Sequence, residues 1–158
     1  MILAPLSHLE MRLVAFAALL RTENAAAVGA SERNPNAAAR AHEIAGAAGE
    51  YVVARRVDRF WNAVPTHFKG SADVGLGPFG LAGTWDVKTT RHLDGRLLLQ
   101  PENDNRTVAY VLVVGVPPEL HIVGALDGPR ALDYPLTTSQ AGRLGRWIPQ
   151  SDLFEWMP

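Results

Sequence analysis

The chain reads as an α/β protein built on a mixed β-sheet, and three observations lead there. Two stretches in the first sixty residues carry apolar side chains at helical spacing. After Pro65 the pattern changes to short extended runs punctuated by glycine and proline, and Val108 to Val116 is one continuous, largely β-branched apolar run.

Each element has a local cause. Ser7-His8-Leu9-Glu10 is a capping box, in which the serine caps the backbone and the glutamate reaches back to it. Leu9, Leu13, Phe16, Ala17 and Leu20 come next at helical spacing, predicting a helix from about Ser7 to the low twenties. Gly29 to Asn36 interrupts it, and Asn34-Pro35 supplies the next start signal. From there to about Phe60 alanine dominates, with a stripe of Ala41, Ile44, Ala45, Ala48, Val52 and Phe60; such small side chains permit close approach to a sheet. Ala72–Leu76 and Leu81–Thr89 flank a Gly-Pro-Phe-Gly turn and predict an antiparallel hairpin. Leu97–Leu99 is a short strand. Val108–Val116 has the composition of a strand buried on both faces, and Pro117-Pro118 turns it into Leu120–Ala125 as a second hairpin. Asp127-Gly128-Pro129 and Thr137–Leu144 read as loop and short helix, and Arg146–Pro149 as a late edge strand.

The 158 residues suit one domain, with 1–33 as a helical elaboration and 34–153 as the core. With no cysteine there is neither a disulfide nor a thiolate zinc site, so any metal must be held by oxygen or imidazole. A formal charge of −1 gives no global signature of nucleic-acid binding; a local basic patch would have to supply it. The apolar run Leu13–Leu20 has the outline of a leader peptide, but it is short, His8 and Glu10 precede it, and Arg21 and Glu23 interrupt the approach to any cleavage site. A cytoplasmic location without a membrane partner is expected.

The most informative residues are Trp85-Asp86-Val87-Lys88-Thr89-Thr90. Strand alternation places Asp86 and Lys88 on one face, a carboxylate beside an ammonium. Only two lysines occur, Lys69 and Lys88, while arginine is used freely, so Lys88 suggests a task that needs a compact point charge. Asp73 lies thirteen residues upstream of Asp86. Glu43 and Glu50 are two helical turns apart and share a face of the second helix. The bland reading makes Asp73 a turn residue, Asp86 and Lys88 a solvated cross-strand pair, and the glutamates surface groups on an alanine-rich helix. Arg55, Arg56 and Arg59 trail that helix, Arg91, His92 and Arg96 come after the lysine strand, and Arg143 and Arg146 flank the late helix. Any of these could touch phosphate, and each could equally be part of a solvated face.

Asp73, Asp86-Val87-Lys88, Glu50 in Gly49-Glu50-Tyr51-Val52-Val53-Ala54 and the closing Trp147–Leu153 together resemble the PD-(D/E)XK nuclease superfamily, in its small phage and prokaryotic members. Ala72 stands where that superfamily often has proline. The resemblance implies a restriction-endonuclease-like core, a mixed sheet flanked by helices, and metal-dependent hydrolysis of DNA phosphodiesters. It makes Asp73, Asp86, Glu50 and the Val87 carbonyl ligands of Mg²⁺, for which Mn²⁺ substitutes. Lys88 becomes the catalytic lysine, which orients or deprotonates the attacking water or stabilises the pentavalent transition state. Arg91, Arg55, Arg143 and Arg146 are the expected nucleic-acid contacts. A Holliday-junction resolvase, working as a homodimer, is the alternative within the superfamily; a non-catalytic nucleic-acid-binding protein of the same fold is the alternative outside enzymes.

Overall fold

The computed structural model describes residues 1–27, 37–59, 61, 63, 85–101, 106–139 and 142–155. In chain order the elements are β1 (Ile2–Leu3), α1 (His8–Ala27), α2 (Ala37–Arg56), β2 (Trp85–Thr90), β3 (Leu97–Leu99), β4 (Ala109–Val116), β5 (Glu119–Asp127), α3 (Gly128–Asp133), β6 (Thr137–Thr138), β7 (Leu144–Ile148) and β8 (Phe154–Glu155). They form an α/β arrangement with a mixed sheet ordered β1-β5-β4-β2. Within it β2 and β4 are parallel, β4 and β5 antiparallel, and β1 and β8 share the outer edge of β5. A second, antiparallel sheet is ordered β3-β7-β6.

The predicted apolar strand is β4, and it is buried on both faces. Val111 and Val113 join a core with Val14, Ala18, Ala47, Ala48, Val52 and Val53 of the two long helices. Tyr110, Leu112 and Val114 point the other way, into a core with Leu97, Leu99, Ala131 and Ile148. Period-two alternation thus divides one strand between two apolar layers, and each fully buried side chain contributes about 1.5–3 kcal/mol of transfer free energy. The pairing of β4 with β5 slips between Leu112 and Val113, opposite Gly124 and Ile122. The extra residue, Val123, resets the alternation, so Leu120 and Ile122 face the helices while Leu126 faces the second core.

Helix α1 forms where the capping box predicts. Glu10 accepts from the Ser7 amide at 2.7 Å, and Ser7 Oγ accepts from the Glu10 amide at 3.3 Å. Its orientation differs from what the apolar stripe suggests. Val14, Ala17 and Ala18 are buried, whereas Leu9, Leu13, Phe16 and Leu20 are exposed. The inward side is chosen by small residues that let α1 lie close to α2, and by Glu10 and Arg21, which find ionic partners there. In α2 likewise, Ala48 and Val52 are buried as expected, but Ala41 is exposed.

Three further expectations are corrected. The short late helix is α3, not a segment of Thr137–Leu144. Asp127 caps it by accepting from the Arg130 amide at 3.0 Å, and Pro129 occupies its first turn, so Asp127-Gly128-Pro129 is a helix start and not a loop. Thr137–Thr138 instead pairs with β7, so the strand containing Arg146 and Trp147 is the middle of its sheet rather than an edge. The strand predicted at Ala72–Leu76 and the helix start at Asn34-Pro35 lie outside the described residues.

At Gly49 helix α2 lies against the sheet with no room for a side chain. A Cβ there would lie 1.9 Å from Thr89 Oγ1. Alanine normally stabilises a helix relative to glycine, so the contact decides the sign. Gly49→Ala is expected to destabilise the protein by about 1–3 kcal/mol in urea unfolding, with Thr89→Ala restoring most of the loss.

Candidate active site

The six residues singled out in the sequence form β2, the last strand of the main sheet on the β4 side among the described residues. Parallel pairing sets Asp86 beside Tyr110, Lys88 beside Leu112 and Thr90 beside Val114. Asp86, Lys88 and Thr90 therefore look away from the long helices, while Val87 is buried in the helix-side core and Trp85 packs against it. Lys88 Nζ lies 2.7 Å from Asp86 Oδ1, with the two side chains 27 % and 23 % exposed. The pair is half-buried, which rules out a fully solvated face. At that exposure its direct contribution to stability is only about 0–1 kcal/mol, so its interest is chemical.

Lys88 opens onto a cleft of about 1400 Å³ that wraps around the β2 edge. The N-terminal half of α2, with Ala41, His42, Ala45 and Gly46, forms one wall. Thr137, Thr138, Ser139, Arg143 and Trp147 form the opposite one. The loop after β2 contributes Arg91, His92, Asp94 and Arg96. Among the described lining residues, four cations (Lys88, Arg91, Arg96 and Arg143) face a single carboxylate, Asp94. A chain with formal charge −1 thus concentrates positive charge in one concavity, where low-dielectric walls strengthen its field.

The cationic loop is held in place. Gln150 Nε2 donates to the carbonyls of Leu93 at 2.7 Å and Gly95 at 2.9 Å, and the Gly95 amide donates to the His92 carbonyl at 2.9 Å. A Cβ at Gly95 would meet Thr90 Cγ2 at 2.4 Å and the His92 carbonyl at 2.8 Å, so only glycine closes this turn without displacing its neighbours. Thr89 Oγ1 and Trp147 Nε1 are buried without hydrogen-bond partners, the threonine oxygen lying under Gly49 on the helix side of β2.

Other residues anticipated from the sequence have different surroundings. Asp73 lies outside the described residues. Glu50 is buried on the helix side of the sheet, where Arg21 donates to both of its oxygens at 2.8 and 2.5 Å and Trp61 Nε1 donates at 3.1 Å. Its carboxylate is committed to joining α1 and α2, on the face opposite Asp86. Among the described residues no three His, Cys, Asp or Glu side chains form a metal-binding group. Arg55 is likewise engaged: it donates to Glu10 at 2.6 Å and to the Pro5 carbonyl at 2.9 Å, which ties the start of α1 to the end of α2. Arg146 donates to the Leu132 carbonyl at 3.2 Å, bracing α3 against β7. Of the four arginines expected at nucleic acid, Arg91 and Arg143 reach the cleft.

His42, Gln150 and the Thr137–Ser139 wall were not legible as site residues. Ala41 and Ala45, beside His42, read as core stripe, and the only local signal for Gln150 was its place after Pro149 in a sharp turn.

Searches of protein-family models, of curated proteins and of solved structures return no match for this chain. The cleft is therefore interpreted from its own residues.

The helix junction has a pH signature. Bonds from Ser7, then from Arg55 and Tyr51, hold the Glu10 carboxyl down at about 2, against an ordinary 4.5. A depressed carboxylate pKa contributes stability that is fully present above 4.5 and lost as pH falls toward 2. Acid unfolding followed by circular dichroism should accordingly show Glu10→Gln less stable than wild type at pH 7, with the difference closing toward pH 2. Arg21→Met should cost about 1–3 kcal/mol by stranding Glu50, and Arg21→Met combined with Glu50→Leu should cost less than Arg21→Met alone in the same denaturant titration.

Proposed function

We propose that this protein is a Mg²⁺-dependent nuclease that draws the phosphodiester backbone of DNA into the Lys88 cleft. The observation carrying this reading is Lys88, half-buried beside Asp86 and lining a concavity with four cationic side chains and one acidic one among its described lining. The resemblance of Asp73, Asp86-Val87-Lys88 and the mixed-sheet setting to the PD-(D/E)XK superfamily points the same way.

The donor set suits Mg²⁺ better than zinc. Asp86 presents hard oxygen, with Oδ1 turned to Lys88 at 2.7 Å. One or two carboxylates with several waters and substrate phosphates is the habitual shell of Mg²⁺, whereas zinc would call for three or four protein ligands. Asp86, with the Val87 carbonyl and Asp73 assigned by resemblance, would hold the ion, which when bound polarises the phosphoryl oxygens and lowers the pKa of a coordinated water. In hydrolysis a water oxygen attacks phosphorus, the bond to the leaving oxygen breaks, and that oxygen acquires a proton. Lys88 orients the water or offsets the charge that builds on the phosphoryl oxygens in this reading, which its ammonium beside Asp86 supports. Arg91, Arg96 and Arg143 hold flanking phosphates.

The test is incubation of the purified protein with linear, nicked, single-stranded and four-way-junction DNA, in Mg²⁺ and in chelator. Cleavage is expected only with the metal and without a strong preference for the junction. Lys88→Ala should lower the rate by roughly 100-fold or more while binding stays within a modest factor. Arg143→Ala should weaken binding and flatten its salt dependence. Tight DNA binding with no cleavage in either Mg²⁺ or Mn²⁺ would leave a non-catalytic binding protein; Lys88→Ala cleaving at the wild-type rate would remove Lys88 from the mechanism.

A further inference from the structure

The outward face of α1 is an unusual surface for a helix that already has a packed side. Leu9 is 74 % exposed, Leu13 47 %, Phe16 59 %, Leu19 50 % and Leu20 39 %. The steps from Leu9 to Leu13, Phe16 and Leu20 are four, three and four residues, the spacing of a coiled-coil seam and narrower than the stripe of a helix lying on a core. A neighbouring stripe of α1, with Val14, Ala17 and Ala18, is already buried against the body of the protein. This helix therefore has two apolar sides, one satisfied and one not.

From this face we infer that α1 pairs with α1 of a second copy of the chain, forming a two-fold homodimer. A seam of this spacing is self-complementary, which is the requirement for an isologous interface. Five side chains at these exposures present roughly 500 Å² per copy, so a pairing that covered all of them would bury at most about 1,000 Å² in total, the lower end of specific interfaces. That area also reaches the upper range of apolar patches found on monomers. The pairing is antiparallel. Leu13 then meets Phe16 of the other copy and Leu9 meets Leu20, each layer filled by two apolar residues. A parallel pairing would instead bring the two copies of Glu23, the next seam position after Leu20, against each other. Among the described lining residues of the Lys88 cleft none belongs to α1, and the inference stands apart from the nuclease reading.

Sedimentation equilibrium over a concentration series, up to about 0.1 mM, tests this with the full chain. The wild type should approach twice the monomer mass, and Leu13→Glu with Phe16→Glu should sediment as a monomer with an unchanged far-UV spectrum. Because the chain has no cysteine, Leu13→Cys and Phe16→Cys can be mixed and oxidised. The crosslinked species should join one of each variant in preference to two of the same. A wild type that is monomeric throughout, a dimer that survives both glutamates, or a monomer that instead co-sediments with anionic vesicles would each overturn the proposal.

Discussion

The fold depends on burying β4 from both sides. An eight-residue strand with Val111 and Val113 on one face and Tyr110, Leu112 and Val114 on the other cannot be covered by a single layer. It requires helices above and a second layer below, and it must lie inside its sheet with a hydrogen-bonded neighbour on each side. The neighbours are β5, delivered by the tight turn at Pro117-Pro118, and β2, which runs parallel to β4 from before β3 in the chain. Because β2 takes its register from β4, the faces of β4 dictate which of its side chains look toward the helices. The orientation of Asp86 and Lys88 is thus a consequence of core packing two strands deep.

Two carboxylate–cation pairs occupy opposite faces of this sheet, and their surroundings give them different work. Glu50 receives Arg21 and the Trp61 indole, while Trp61 packs edge-on against Tyr51 at 5.3 Å; the cluster is enclosed and holds two helices in one relation. Losing Arg21 there would strip the buried Glu50 carboxylate of its ionic partner, which makes the pair structural. Asp86 and Lys88 have comparable separation, but Lys88 lines an open cleft, and a pair at this exposure contributes little to stability.

The cleft is assembled from parts distant in sequence: the first half of α2, the end of β2, the loop after it, and the strand pair β6–β7 with its connection. Its positive character arises because Arg91, Arg96 and Arg143, drawn from two separate regions of the chain, are turned inward together, whereas Arg55 and Arg146 are absorbed by a carboxylate and a carbonyl. Near-neutral net charge and a locally cationic concavity are compatible, since the field in a cleft depends on nearby charges more than on the total. Rigidity comes from Gln150, whose amide bridges two carbonyls of the cationic loop.

Features written in local chemistry were legible along the chain. The capping box at Ser7 and Glu10, the doubly buried β4, its hairpin with β5, and the common face of Asp86 and Lys88 each arise from spacing or turn residues within about ten positions, and all appear in the fold. Which face of a helix turns inward was settled only by packing in three dimensions. Leu9, Leu13, Phe16 and Leu20 had the stronger apolar claim, yet the core took Val14, Ala17 and Ala18, because close helix packing rewards small side chains and Glu10 and Arg21 needed partners on α2. Packing likewise gave Glu50 and Arg55 to the helix junction while Arg91 and Arg143 face the cleft. A side chain's partner is a property of what the rest of the chain brings beside it, and periodicity along one element carries no record of that.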